Sequence, residues 1–115
     1  MADCLFCKIV AGGIPAKLVK RSDDAVAFHD IDGKAPVHVL VIPTRHLAAA
    51  RNATGAEGER LLGRLLAFSA EVASELGLDA GGYRIVTNTG ADAGQSVGHL
   101  HLHVLGGRKL GWPPG

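Results

Sequence analysis

The chain lacks most of what would send it to a membrane, to nucleic acid or out of the cell. It has only two cysteines, Cys4 and Cys7, and a pair so close in sequence closes a very small loop, so a disulfide framework is not indicated. No apolar run is long enough to span a bilayer. The opening Met1-Ala2-Asp3-Cys4 has no basic stretch followed by an apolar core, so an export signal is not expected and the expected location is cytoplasmic. Twelve Lys and Arg stand against eleven Asp and Glu, a formal net charge of +1 with no block of like charges. Neither nucleic acid nor an anionic membrane is therefore implied as a partner. A small anion stays compatible, because neutral imidazoles and backbone amides hold phosphate without a basic surface. Internal repeats and low-complexity segments are absent too. With 47% of 115 residues apolar, the expectation is one domain over residues 1–115 with enough core to fold unaided.

What the chain does have is His99-Leu100-His101-Leu102-His103-Val104-Leu105. Three imidazoles alternating with large apolar residues predict a strand over 99–105, with His99, His101 and His103 on one face and the apolar residues on the other. Alternate strand residues lie roughly 7 Å apart and the outer two histidines roughly 13 Å apart. One metal ion does not easily take all three, so the row suits separate tasks along an extended ligand, such as a phosphoryl group beside a second site. The approach, Gly90-Ala91-Asp92-Ala93-Gly94-Gln95-Ser96-Val97-Gly98, is a Gly-rich loop whose amides can face anionic oxygens. It ends without Gly-Lys-Ser/Thr and is not a Walker loop.

Elsewhere the pattern predicts a short helix over Cys4–Val10, then strands over Lys17–Lys20 and Ala25–Phe28 joined at Ser22-Asp23-Asp24. A central strand follows over Val37–Pro43, apolar on both faces except for His38. Thr54 and Glu57 have capping-box spacing ahead of a helical stripe (Leu61, Leu62, Leu65, Val72, Ala73, Leu76) that breaks at Gly77. Gly81–Asn88 reads as a further strand. The expected fold class is α+β, an antiparallel meander sheet of about five strands with one long helix and a short N-terminal one, rather than a βαβ crossover.

On these residues the chain resembles the histidine-triad (HIT) family, whose motif is His-x-His-x-His with x apolar. Gly94-Gln95-Ser96-Val97 before the row, Val104-Leu105-Gly106-Gly107-Arg108 after it and Trp112-Pro113-Pro114-Gly115 are similar to the Hint branch. So are Ile14-Pro15-Ala16-Lys17, Ala27-Phe28-His29-Asp30-Ile31 and His38-Val39-Leu40-Val41-Ile42-Pro43 upstream. The resemblance covers nearly the whole chain. It implies a HIT-like fold, doubled in a homodimer with a continuous sheet, that cleaves purine nucleoside 5′-phosphoramidates to the 5′-monophosphate and an amine. A dinucleoside polyphosphate hydrolase and a non-catalytic nucleotide-binding dimer are the alternatives. A triad that holds a catalytic metal is a third, weakened by the strand geometry. A uridylyltransferase relative would carry glutamine at His103.

Within that resemblance His101 is the candidate nucleophile, able to form a nucleotidyl-histidine that water then hydrolyses. His103 would donate to a phosphate oxygen, Ser96 would relay a proton to the leaving amine, and His38 and His99 would support the network. Asn88, Gly94, Gln95 and Val97 would hold the remaining oxygens. Asp30 would take the ribose hydroxyls. Leu5, Phe6, Ile9, Phe28, Ile31 and Leu40 are similar to the apolar wall around the base, and most would be core under any reading. Trp112 would reach the partner subunit's site. Cys4 and Cys7 have zinc-knuckle spacing, and with His46 and His99 they could form a structural Cys₂His₂ zinc site of the sort some relatives carry. Unliganded thiols and a redox pair remain the alternatives, the redox pair without a preceding strand to support it. No organic cofactor is expected.

Overall fold

The computed structural model describes residues 3–115. Its centre is a five-stranded sheet made of β1 (Leu18–Arg21), β2 (Ala25–His29), β3 (Val37–Pro43), β4 (Tyr83–Thr87) and β5 (Leu102–Gly106), in the order β1-β2-β3-β5-β4 with every bonded neighbour antiparallel. A short helix, α1 (Leu5–Val10), precedes the sheet, and the long helix α2 (Gly55–Glu75) joins β3 to β4.

Strand alternation builds two different faces on this sheet. Ala25 and Ala27, Val39 and Val41, and Leu102 and Val104 point to one side, where they pack with Leu61, Leu65, Phe68, Val72 and Ala73 of α2. Burying each such large apolar side chain stabilises the fold by roughly 1.5–3 kcal/mol. Val26, Phe28, Leu40 and Ile42 point to the other side, where Phe6 and Ile9 of α1 cover them. His38 on β3 and His103 on β5 emerge on this second side. The register that pairs Leu40 with His103 and His38 with Leu105 makes the two histidines diagonal neighbours.

Local chemistry explains several boundaries. The β1–β2 turn closes on Ser22, whose hydroxyl accepts from the amides of Asp24 (3.3 Å) and Ala25 (3.2 Å). The sequence places β3 at its observed bounds because it lies between two strands and is buried on both faces. α2 ends before Gly77, which sits at φ +78°, a left-handed position suited to glycine. The capping box does not form: Thr54 is the N-cap, but its hydroxyl makes no cap bond. The chain enters through Gly55 at φ +69°, which is not the backbone geometry a capping box uses.

Two expectations change. The sheet is not a strict meander, because β5 inserts between β3 and β4. β3 and β4 therefore run parallel, with α2 as the crossover and β5 filling the gap. The triad strand also begins later than the alternation predicts, at Leu102. His99 and His101 lie in an irregular approach, held by Leu100 N–H donating to the Leu47 carbonyl (2.6 Å) and by the Thr87 hydroxyl donating to the His101 carbonyl (2.8 Å). Alternation survives without the ladder: Leu100 is in the α2 core, while His99 and His101 meet Phe6 of α1. Among the described residues no helix is long and apolar enough to cross a membrane.

Candidate active site

The second face of the sheet assigns each triad histidine a different set of contacts. His101 is buried, and its Nδ1 lies 2.7 Å from the His99 carbonyl. A carbonyl only accepts, so Nδ1 carries the proton. The neutral ring then has its lone pair on Nε2, and the residue lines a cleft.

His103 is fixed through a relay that starts at the backbone. The Lys34 amide donates to His38 Nδ1 (2.9 Å), so the His38 proton is on Nε2. That Nε2 lies 2.9 Å from His103 Nδ1, which must accept. His103 then carries its proton on Nε2, a buried atom with no hydrogen-bond partner among the described residues. A buried N–H without a partner is costly and calls for an explanation. It is a donor waiting for an acceptor that the chain itself does not provide. The Asp30 carboxylate lies 3.4 Å from His38 Nε2 and accepts from the Asp32 amide (2.9 Å).

The relay requires neutral rings, and burial keeps them neutral. Desolvation, aided by the nearby His101 and His38, pushes His103 down from 6.5 to about 4. Burial likewise lowers His38, against the opposing pull of Asp30. Between about pH 6.5 and about 4 the unfolded chain therefore binds a proton at residue 103 that the folded chain refuses. Stability from this group is complete above about 6.5 and is lost as pH falls towards 4. Urea midpoints measured from pH 7.5 to pH 4.5 should decline through that window; a flat series would contradict the buried neutral relay.

The cleft encloses about 450 Å³. Of the residues singled out in the sequence, Leu5, Phe6, Ile9, Phe28, Asp30, Ile31, His38, Leu40, Ser96, Val97, His101 and His103 line it. Leu5 is 45% exposed and Ile31 104%, so these two are not core. An apolar pair left in water beside a cleft is suited to contact with a ligand. Asn88 and Gly94 are not among the lining residues. Gln95 is engaged inside its own loop: its amide donates to the Ala48 (2.7 Å) and Val97 (3.0 Å) carbonyls and its oxygen accepts from the Gly90 amide (2.9 Å). The side chain shapes the loop rather than offering free donors. Trp112 stands 81% exposed at the surface, with the Arg84 guanidinium 5.8 Å from its ring and donating to the Gly111 carbonyl (2.9 Å).

Sequence reasoning gave no role to His29, Asp32, Lys34, Lys17, Ile14, Pro15 or Ala16, which also line the cleft. The Ile-Pro-Ala-Lys run was visible as a motif, and its adjacency to the cleft comes from the turn after α1. For the polar rim residues no local signal existed.

His99 faces away from this chemistry. Its Nε2 lies 3.1 Å from the Pro43 carbonyl, so Nε2 carries the proton and the Nδ1 lone pair is free to ligate a metal. Around that Nδ1 stand Cys4 Sγ (3.3 Å), Cys7 Sγ (3.6 Å) and His46 Nδ1 (3.2 Å), with Cys7 Sγ 3.3 Å from His46 Nδ1. A tetrahedron built on zinc bond lengths has N–N edges of about 3.3 Å and N–S edges of about 3.5 Å. The donor set and its spacing fit such an ion. Asp30, His38 and His103 also place donor atoms within 4.8 Å of one another. There the His38 proton and the His103 lone pair are spent on each other, so that group is a hydrogen-bonded relay.

Fold and site together define a class: a small α+β protein in which the second and third histidines of a triad, His101 and His103, line a cleft on one face of its sheet while the first, His99, turns to a neighbouring Cys/His cluster. The chain belongs to the HIT domain family, whose match covers residues 11–110. It is 49% identical over 113 residues to an uncharacterised HIT-like protein of Synechocystis sp., covering 98% of this chain and 97% of that one. To the purine nucleoside phosphoramidase of Escherichia coli K12 it is 41% identical over 109 residues, covering 95% and 91%. A HIT family hydrolase from Legionella pneumophila superposes with a TM-score of 0.94 at 43% identity, covering 98% of this chain and all of that one. A histidine triad protein from Clostridium difficile gives 0.92 at 38% identity, with 96% of each chain covered.

Proposed function

We propose that the protein is a hydrolase that cleaves the P–N bond of purine nucleoside 5′-phosphoramidates, releasing the 5′-monophosphate and an amine. The observation that carries this reading is the pairing in one cleft of a lone pair on His101 Nε2 with an unpartnered N–H on His103. One attacks phosphorus and the other receives the oxygen charge that attack creates. The name of the E. coli relative supports the choice of bond.

In the first displacement His101 Nε2 bonds to phosphorus as the P–N bond breaks, and the amine leaves with a proton that Ser96 relays from solvent, one that the attacking water returns to solvent in the second. In the second, water attacks phosphorus, the Nε2–P bond breaks and the monophosphate departs. Asp30 would accept from the ribose hydroxyls, and Phe6, Ile9, Phe28, Leu40, Leu5 and Ile31 would enclose the base. Release of AMP from adenosine 5′-phosphoramidate by the wild-type protein tests the reading directly. AMP binding without turnover would favour a non-catalytic nucleotide-binding protein, and turnover restricted to diadenosine polyphosphates would favour the polyphosphate reading.

We infer that Cys4, Cys7, His46 and His99 hold a structural zinc ion, on the strength of the tetrahedral donor spacing. When bound it would tie the N-terminal helix to the segment before β5. Two thiols used as ligands suit the reducing cytoplasm. Elemental analysis should find about one zinc per chain and much less after Cys4→Ser, which should spare much of the chemistry while lowering thermal stability. An unchanged metal content would remove the assignment.

The homodimer is likewise a proposal. β4 is an edge strand with half-buried residues, Leu66 on α2 is 53% exposed and Trp112 stands free beside β4. Pairing through this edge would extend the sheet and bring Trp112 towards the partner's cleft. Sedimentation equilibrium should give twice the chain mass; a monomer at micromolar concentration would exclude it.

A further inference from the structure

The four-donor cluster and the cleft share one short helix. α1 carries Cys4 at its N-cap and Cys7 one turn on, with the Cys7 amide donating to Cys4 Sγ (3.4 Å). The same six residues present Leu5, Phe6 and Ile9 to the cleft. A helix this short does not hold itself together in water. Its place depends on what it packs against and on what grips its two cysteines.

Phe6 sits between those cysteines and is buried. Its ring meets three others edge-on: His101 at 5.2 Å and 80°, Phe28 at 5.7 Å and 69°, and His99 at 5.8 Å and 77°. One side chain therefore touches the nucleophile, the base wall and a cluster donor. A second connection runs through the backbone. His99 gives its ring to the cluster and its carbonyl to His101 Nδ1, so a shift of His99 shifts the group that fixes the His101 tautomer.

We propose that metal binding at the cluster and nucleotide binding in the cleft are thermodynamically coupled through α1, with Phe6 as the positioning residue between them. The inference rests on the nucleotide and zinc readings above. Gripping Cys4 and Cys7 holds Phe6 against His101 and Phe28, so the base finds its wall already formed. Coupling of this kind is reciprocal. Nucleotide bound against Phe6 must tighten the cluster's hold on zinc by the factor by which zinc tightens nucleotide.

The experiment is calorimetric titration of AMP into zinc-loaded and chelator-stripped protein, together with zinc affinity measured by chelator competition with and without AMP. AMP should bind the stripped protein at least about fivefold more weakly, and AMP should raise zinc affinity by the same factor. Two variants separate coupling from simple loss of contact. Ile31→Ala, a cleft residue outside the apolar cluster that packs under α1, should weaken AMP in both forms and leave the coupling factor unchanged. Phe6→Leu, which keeps apolar bulk, should bring the factor towards one while zinc still binds.

If stripping unfolds the chain, AMP would raise zinc affinity through folding alone, in wild type and Phe6→Leu alike, and equal factors in the two proteins would then overturn the role given to Phe6. Equal AMP affinities with equal zinc affinities would overturn the coupling alone. An unchanged factor in Phe6→Leu would remove Phe6 from it. Failure of AMP to bind either form would overturn the nucleotide reading as well, and failure of zinc to bind would overturn the metal reading as well.

Discussion

His101→Ala should lower the rate of AMP release from adenosine 5′-phosphoramidate by at least about 10³-fold, equivalent to about 4 kcal/mol of transition-state stabilisation. Without Nε2 the reaction loses its two-step route, and water would have to displace the amine directly. Binding should survive, because the base wall and Asp30 belong to other elements. AMP affinity measured by calorimetry should thus change far less than kcat. Removing a buried ring also leaves a void beside Phe6, so the variant should be less stable, and its fold is checked by circular dichroism before rates are compared. Partial recovery of turnover by added imidazole would place the missing lone pair at this position. Wild-type rates in the variant would move the nucleophile elsewhere.

His103→Phe should cost about 10²-fold in kcat with a smaller change in KM. The substitution preserves ring volume and removes a buried N–H that has no partner among the described residues, and losing a preorganised donor of this kind costs about 10²–10³. It also deprives His38 of its acceptor, and the Asp30 carboxylate 3.4 Å away becomes the nearest alternative. A second readout follows from the same chemistry. Because His103 is held down to about 4, its removal should flatten much of the decline in stability below pH 6.5. A variant that kept its kcat would show that the donor takes no part in the reaction.

Much of the fold is legible in the sequence wherever one face of an element must be buried. Val37–Pro43 is apolar on both faces because strands flank it on both sides, and its bounds appear unaltered in the structure. The alternation of residues 99–105 sorts correctly to the α2 side and the α1 side even where the ladder has not begun. Long-range order was less visible. Nothing local to β4 or β5 tells which of them lies against β3, and the insertion of β5 follows from α2 crossing the sheet.

Site chemistry was legible as residue types and opaque in its details. The sequence shows histidines 38 and 103; only cross-strand register shows that one donates a hydrogen bond to the other. Leu5 and Ile31 look like core from their composition; the family resemblance puts them at the base wall, and their exposure beside the cleft separates them from the core. Gln95 reads as a free donor because the carbonyls of Ala48 and Val97 that take its hydrogens are brought to it by the fold.

The alternation through residues 99–105 also bears on how this chain can drift over time. Leu100, Leu102 and Val104 face α2 while the three imidazoles face the other way, and the side-chain period is two. Gain or loss of a single residue between His99 and Leu105 would exchange the two sets, pressing imidazoles into the core and leucines into the cleft. A single substitution there changes one side chain, whereas a change in length reverses the facing of every residue on one side of it. The exposed Ala91–Gly94 turn lies ahead of the row, where a change in length leaves the alternation of residues 99–105 intact.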